Sequence, residues 1–268
     1  MSPESTLIPP IAPAATATLG VVSFLNALPL YESLLDRRGV VIKPAVPSKL
    51  SELLTLGGCD AALLPVVDYW RNRERLTLVA DGCIASDGET QTVRVFSKVP
   101  PDKVQRVHVD GDSHTSIVLA RLVWRELYSR DIELISCRPA GVADEGMSNE
   151  SVLLIGDKVV RNAPRGFGFE VDLGAAWKHL TDLPFVFAAW YGPKDRDHRA
   201  MTRLLAEARD AGVADARRIA GEHAAIHGWP VDVATKYLCE IMRYRLTPPM
   251  HAAMDRFFHL ADRHGLLP

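Results

Sequence analysis

Basic excess is missing from this chain: 31 Lys and Arg stand against 33 Asp and Glu, a formal net charge of -2. A surface without cationic surplus is a poor match for a nucleic-acid backbone, whose affinity comes from neutralised phosphates. Long apolar runs are missing too, and none reaches the ~18 residues that a membrane helix needs. Cysteine is scarce. Cys59, Cys83, Cys137 and Cys239 are scattered, with no C-x-x-C pair, which argues for buried free thiols in a reducing compartment rather than a disulfide or zinc frame. Residues 1–17 are rich in proline and alanine and lack a positively charged start. They are expected to form a flexible tail rather than a secretory signal. Together these features point to a cytoplasmic protein with no metal, no nucleic acid and no membrane among its partners.

What remains is an ordinary globular composition, 47% hydrophobic and 24% charged over 268 residues, enough to bury one large or two small cores. Short apolar runs alternate with helical patterns. Leu19 to Val22, Val40 to Ile42, Asp60 to Leu64 and Leu76 to Ala80 read as strands, with helices from Ser48 (as cap) to Leu56 and from Val66 to Arg73. A βαβαβ order implies a parallel sheet covered by helices. Cys83 to Gln91 then reads as a polar, turn-rich crossing. A second series follows, with strands at Thr92 to Ser97, Val107 to Val109, Ile132 to Ile135 and Val152 to Ile155, and a helix from Ser116 to Tyr128. Residues 162–172 read as loop. An apolar strand at Pro184 to Tyr191 returns the chain to the first sheet, and Arg196 to Leu267 reads as nearly all helix. The expected architecture is two lobes, 18–93 with 188–268 and 94–187, around a ligand cleft.

In open α/β sheets ligands bind beyond the carboxyl ends of the strands, so the tips there are the candidate site. The first is Ser23-Phe24-Leu25-Asn26, where a strand feeds a helix that tolerates Pro29 in its first turn. The second is Ser86-Asp87-Gly88 with Thr92, at the crossing. The third is Asp110-Gly111-Asp112-Ser113-His114-Thr115-Ser116, opening a helix. Ser113, Thr115 and Ser116 exceed what one cap requires, and hydroxyls beside first-turn amides suit a carboxylate. The fourth is Ile155-Gly156-Asp157, with Asp157 most simply an N-cap. His179, His223 and His227 fall on helices away from these tips and read as solvated or structural.

These motifs, SFLNALPL, CIASDG with a hydroxyl four residues on, DGDSHTS, LLIGD, DLGAAWKHLTDLPFVFAAWYGP and YRLTPPMHAAMDRFF, resemble the chorismate dehydratases of the futalosine route to menaquinone. The resemblance spans residues 19–267; a weaker similarity extends to the naphthoate synthase of the same pathway. It implies a periplasmic-binding-protein-like (type II) α/β fold working as a cytoplasmic enzyme without cofactor or metal. As residue roles it implies Asn26 and Thr92 as the catalytic pair. Ser23, Ser86, Asp87, Ser113, His114, Thr115, Ser116 and Asp157 are the expected substrate contacts. Two positions depart from the family's usual pattern. Thr92 stands where serine is usual, adding a methyl group and stiffening χ1. His114 stands where arginine is usual, removing a bidentate carboxylate partner if that side chain touches substrate, or only a packing group if it does not.

The implied reaction converts chorismate to 3-[(1-carboxyvinyl)oxy]benzoate and water. The ring hydrogen at C3 is vinylogous to the ring carboxylate, so its removal gives a delocalised carbanion, and loss of the C4 hydroxyl aromatises the ring. The tips carry no strong base. This favours proton removal by the substrate's own enolpyruvyl carboxylate, with the protein positioning the ring and stabilising charge. Two alternatives stay open: a non-catalytic cytoplasmic binding protein, and a divergent paralogue acting on another carboxylated ring. The expected association is monomer or homodimer.

Overall fold

The structure, a computed structural model, describes residues 17–109, 111, 113–136, 151–161 and 164–267. The tail up to residue 16, Asp110, Asp112 and Cys137 lie outside them. β1 (Ala17–Val22) pairs in parallel with β2 (Val40–Ala45) on one side and β3 (Ala61–Pro65) on the other. β3 is buried at every position, which is why it reads as a continuous apolar run rather than an alternation. β2 is the sheet's edge and accommodates Pro44, which has no ladder donor to lose there. α1 (Pro47–Thr55) and α2 (Val66–Arg71) are the crossovers. Ser48 is not the cap of α1: Pro47 takes the first helical position, for which its fixed φ is suited, and Val46 is the capping residue.

β4 (Leu76–Ser86) continues through Cys83-Ile84-Ala85-Ser86, which the sequence suggested was turn. That half of the strand is buried between two antiparallel neighbours, β10 (Phe185–Pro193) and β11 (Met242–Arg245). Irregular register between β10 and β4 around Ala80–Cys83 absorbs the Asp81-Gly82 pair that looks like a strand end. The first sheet is therefore mixed, in the order β11-β4-β10-β3-β1-β2, with the returning strand wedged antiparallel between β3 and β4. β11 lies inside the stretch expected to be helical. Met242 and Tyr244 point inward and Arg243 and Arg245 outward, an alternation too short to stand out among helices.

The second sheet has the order β7-β6-β8-β5-β9. Its strands are β5 (Val93–Ser97), β6 (Arg106–Val109), β7 (Glu133–Ser136), β8 (Ser151–Ile155) and β9 (Phe169–Asp172). β9, read as loop, is an exposed edge strand antiparallel to β5. α3 (His114–Tyr128) buries Val118, Leu119, Leu122 and Val123 as its apolar stripe. The chain passes from the first sheet to the second between Ser86 and Val93. It returns after the helix Leu173–Thr181, whose Trp177 packs edge-on against Phe185 and Phe257, with ring centroids 5.4 and 5.9 Å away. Phe257 belongs to the last helix, Pro248–Arg263, which packs against β10; the helix Arg199–Ala214 packs against β4. Cys59 and Cys83 are buried free thiols, and burial pushes the Cys59 thiol up to about 11. Cys239 departs from the expectation of burial and is exposed.

Candidate active site

The carboxyl ends of β1, β3 and β8 and the start of β5 meet around one cleft. Its walls are mostly apolar, including Phe24, Ile84, Phe187 and Met242. Its polar side chains are Asn26, Thr90, Thr92, Ser113 and Ser116, and none of the described residues lining it is ionisable. Phe24 closes one end against Gly156, where the left-handed backbone (φ +62°) and a ring atom 3.0 Å from any added Cβ leave room only for glycine.

Asn26 stands on a 3₁₀ turn, Leu25–Leu30, that is buried throughout and contains Pro29 in place of the expected α-helix. Thr92 lies on the crossing, immediately before β5. The two groups come from opposite ends of the fold's first half and meet through a third residue. Asn26 Nδ2 donates to the Tyr237 hydroxyl at 3.0 Å, and Thr92 Oγ1 lies 2.7 Å from the same oxygen. Asn26 Oδ1 is buried and has no partner among the described residues. Tyr237 belongs to a π-helical turn, Tyr237–Ile241, and nothing in the sequence singles it out: one tyrosine in a helical stretch carries no spacing signal.

The crossing is built by Asp172, also missed in the sequence. Its carboxylate accepts the backbone N–H groups of Thr90 and Gln91, the Thr90 hydroxyl, and the N–H groups of Gly174 and Ala175 at the start of the next helix. One side chain thus caps a helix and folds the loop that presents Thr90 and Thr92. A cap was legible in Asp-Leu-Gly; its second task was not.

At the third tip, Ser113 is the cap of α3, accepting the Ser116 N–H at 3.3 Å, and the two hydroxyls lie 3.0 Å apart. Both line the cleft. His114 and Thr115 do not. His114 Nδ1 pairs with Asp68 Oδ1 at 2.6 Å, and Thr115, fully buried, accepts the Val67 N–H at 3.2 Å. Both tie α3 to α2. His114 is therefore a packing group in this structure.

Four further expected contacts stand outside the cleft lining. Ser23 is exposed beyond the end of β1. Ser86 turns its hydroxyl to the Gly88 carbonyl, and Asp87 pairs on the surface with Lys178 at 3.0 Å. Asp157 is neither free for ligand nor an N-cap. Its carboxylate lies 3.3 Å from the Leu25 N–H, 2.9 Å from Trp229 Nε1 and 2.7 Å from His227 Nδ1. His227, expected to be away from the tips, is brought there by the turn after the helix Ala216–His227. Asp157 thereby fastens the end of β8 to both halves of the opposite wall. His179 is exposed and His223 faces Glu32.

With this geometry in view, the similarity of the chain to known proteins becomes specific. A sequence model of a family described as menaquinone biosynthesis matches residues 17–263. The chain belongs to this family. It is 29% identical over 264 residues to the chorismate dehydratase of Thermus thermophilus, covering 89% of this chain and 93% of that enzyme. Among solved structures, a protein from Archaeoglobus fulgidus matches with a TM-score of 0.77 at 13% identity, covering 94% of this chain and 98% of that one. The alkanesulfonate-binding protein SsuA from Xanthomonas axonopodis pv. citri, bound to MOPS, matches with a TM-score of 0.69 at 16% identity over 96% of both chains. The fold is periplasmic-binding-protein-like, as the sequence motifs implied. Among the described residues no helix is long and apolar enough to cross a membrane.

Proposed function

We propose that this protein is a chorismate dehydratase, a hydro-lyase that converts chorismate to 3-[(1-carboxyvinyl)oxy]benzoate and water. The observation that carries the reading is the pairing of Asn26 and Thr92 on one phenol, inside an apolar cleft that faces the start of α3. The family match and the identity with a chorismate dehydratase support it.

Chorismate presents a flat ring and two carboxylates. The Phe24, Ile84 and Phe187 walls suit the ring, and the Ser113 and Ser116 hydroxyls beside the first-turn amides of α3 suit a carboxylate. In the reaction the C3–H bond breaks and its proton passes to the enolpyruvyl carboxylate of the substrate itself. The electron pair delocalises toward the ring carboxylate. The C4–O bond then breaks, hydroxide departs with that proton as water, and the ring becomes aromatic. The described lining supplies no ionisable side chain to compete with the substrate's own base. Asn26 and Thr92 hold the departing hydroxyl and the developing charge, a contribution that grows in the transition state. The protein acts as a cytoplasmic enzyme on a free small molecule, with the lobes built on the first and second sheets, whose strands β10 and β5 begin at Phe185 and Val93, closing on it.

Purified protein incubated with chorismate is expected to release the aromatic enol ether, followed by chromatography with ultraviolet detection. Tight binding of chorismate with no product would replace the dehydratase by a binding protein.

A further inference from the structure

Tyr237 lies behind the cleft rather than in its lining, yet it holds both polar groups that come from the first wall and the crossing. The ring is 1% exposed and stacks on Trp229, with centroids 4.8 Å apart and planes at 24°. Trp229 in turn donates its indole N–H to Asp157 at the end of β8, so the phenol is seated by a residue of the second sheet. Burial pushes the Tyr237 phenol well above its usual value, so it keeps its proton throughout the working pH range.

One phenol oxygen ties the cluster together. An amide nitrogen only donates, so the phenol oxygen accepts from Asn26 Nδ2 at 3.0 Å. The same oxygen lies 2.7 Å from Thr92 Oγ1, so the two hydroxyls share a hydrogen bond. Thr92 Oγ1 also donates to the Thr90 carbonyl at 3.4 Å. Asn26 Oδ1 is buried without a partner among the described residues. We infer that Tyr237 is a positioning residue of the dehydration, holding the Asn26 amide and the Thr92 hydroxyl together at the cleft wall for the substrate's departing hydroxyl. This rests on the dehydratase reading, and extends it to a residue with no place in the cleft lining.

Tyr237→Phe removes the hydroxyl and keeps the stack on Trp229. Its kcat on chorismate is expected to fall by about 10- to 100-fold, the scale for a reacting group displaced by an ångström, while chorismate Kd changes less than about threefold. In an Asn26→Ala background the same change is expected to cost less than about threefold more, since groups acting as a unit are not additive. Unchanged kcat in Tyr237→Phe, or full multiplication of the two losses, overturns the proposal. A readout free of activity separates it from the dehydratase reading: the Asn26 side-chain amide signal in ¹⁵N–¹H spectra, assigned by its loss in Asn26→Ala. That signal is expected to shift and to exchange faster with solvent in Tyr237→Phe. If wild type does not turn chorismate over, the dehydratase reading fails, and an unmoved amide signal sinks Tyr237 as the positioning residue whatever the reaction.

Discussion

Two hydroxyl-bearing edges face each other across the cleft, and they are built in opposite ways. At the crossing, Thr90 and Thr92 are held from behind: Asp172 takes the Thr90 hydroxyl and two of the loop's N–H groups, and Tyr237 takes Thr92. At the start of α3, Ser113 and Ser116 lean mainly on each other and on a helix end whose first amides have no intrahelical acceptor. The first edge is rigid and fixes direction; the second offers charge-complementary donors with less restraint. A preorganised group contributes most where geometry matters most, in the transition state, whereas a helix end attracts an anion in ground state and transition state alike. The crossing should therefore govern turnover and the α3 edge should govern binding.

The sharpest break comes at the crossing wall. Asn26→Ala is expected to lower kcat by about a hundred- to a thousandfold, the range for a lost preorganised partner, with chorismate affinity by calorimetry nearly unchanged. Thr92→Val, close in shape but without the hydroxyl, should match it, while Thr92→Ser should stay active. A Thr92→Val variant that weakens binding as much as turnover would erase the contrast between the edges. Next in size is Asp172→Ala, which leaves five donors to find water. It is expected to destabilise the fold by roughly 2–4 kcal/mol in denaturant melts and to lower turnover through the loosened loop.

At the α3 edge, the Ser113→Ala, Ser116→Ala pair should raise KM about tenfold with kcat kept, from hydrogen bonds to a charged group worth about 1.5–3 kcal/mol. Loss of the cap should lower stability by about 1 kcal/mol. A fall in kcat with KM intact would move these serines to the catalytic side. The smallest effect belongs to His114→Ala. Because His114 touches Asp68 rather than the cleft, it should cost about 1 kcal/mol of stability and leave KM within error. A clear rise in KM would put His114 back among the substrate contacts.

The sequence by itself determined the buried parallel strands and an amphipathic helix such as α3, because these write their periods locally. It located Asn26, Thr92, Ser113 and Ser116, because strand ends and helix starts mark themselves with turn and cap chemistry over a few residues. Only the tertiary structure decided which tip groups line the cleft. Thr115, His114 and Asp157 carry the same local signals as Ser113, yet their polar atoms meet Val67, Asp68 and Trp229, partners 46 to 72 positions away in sequence. β11 and the late half of β4 become strands because they pair with each other across the sheet. Tyr237, 211 positions from Asn26, joins the site through a contact that no window of sequence contains. Hydrogen-bonding capacity is a property of a residue, but whether that capacity is already satisfied is a property of the packed fold.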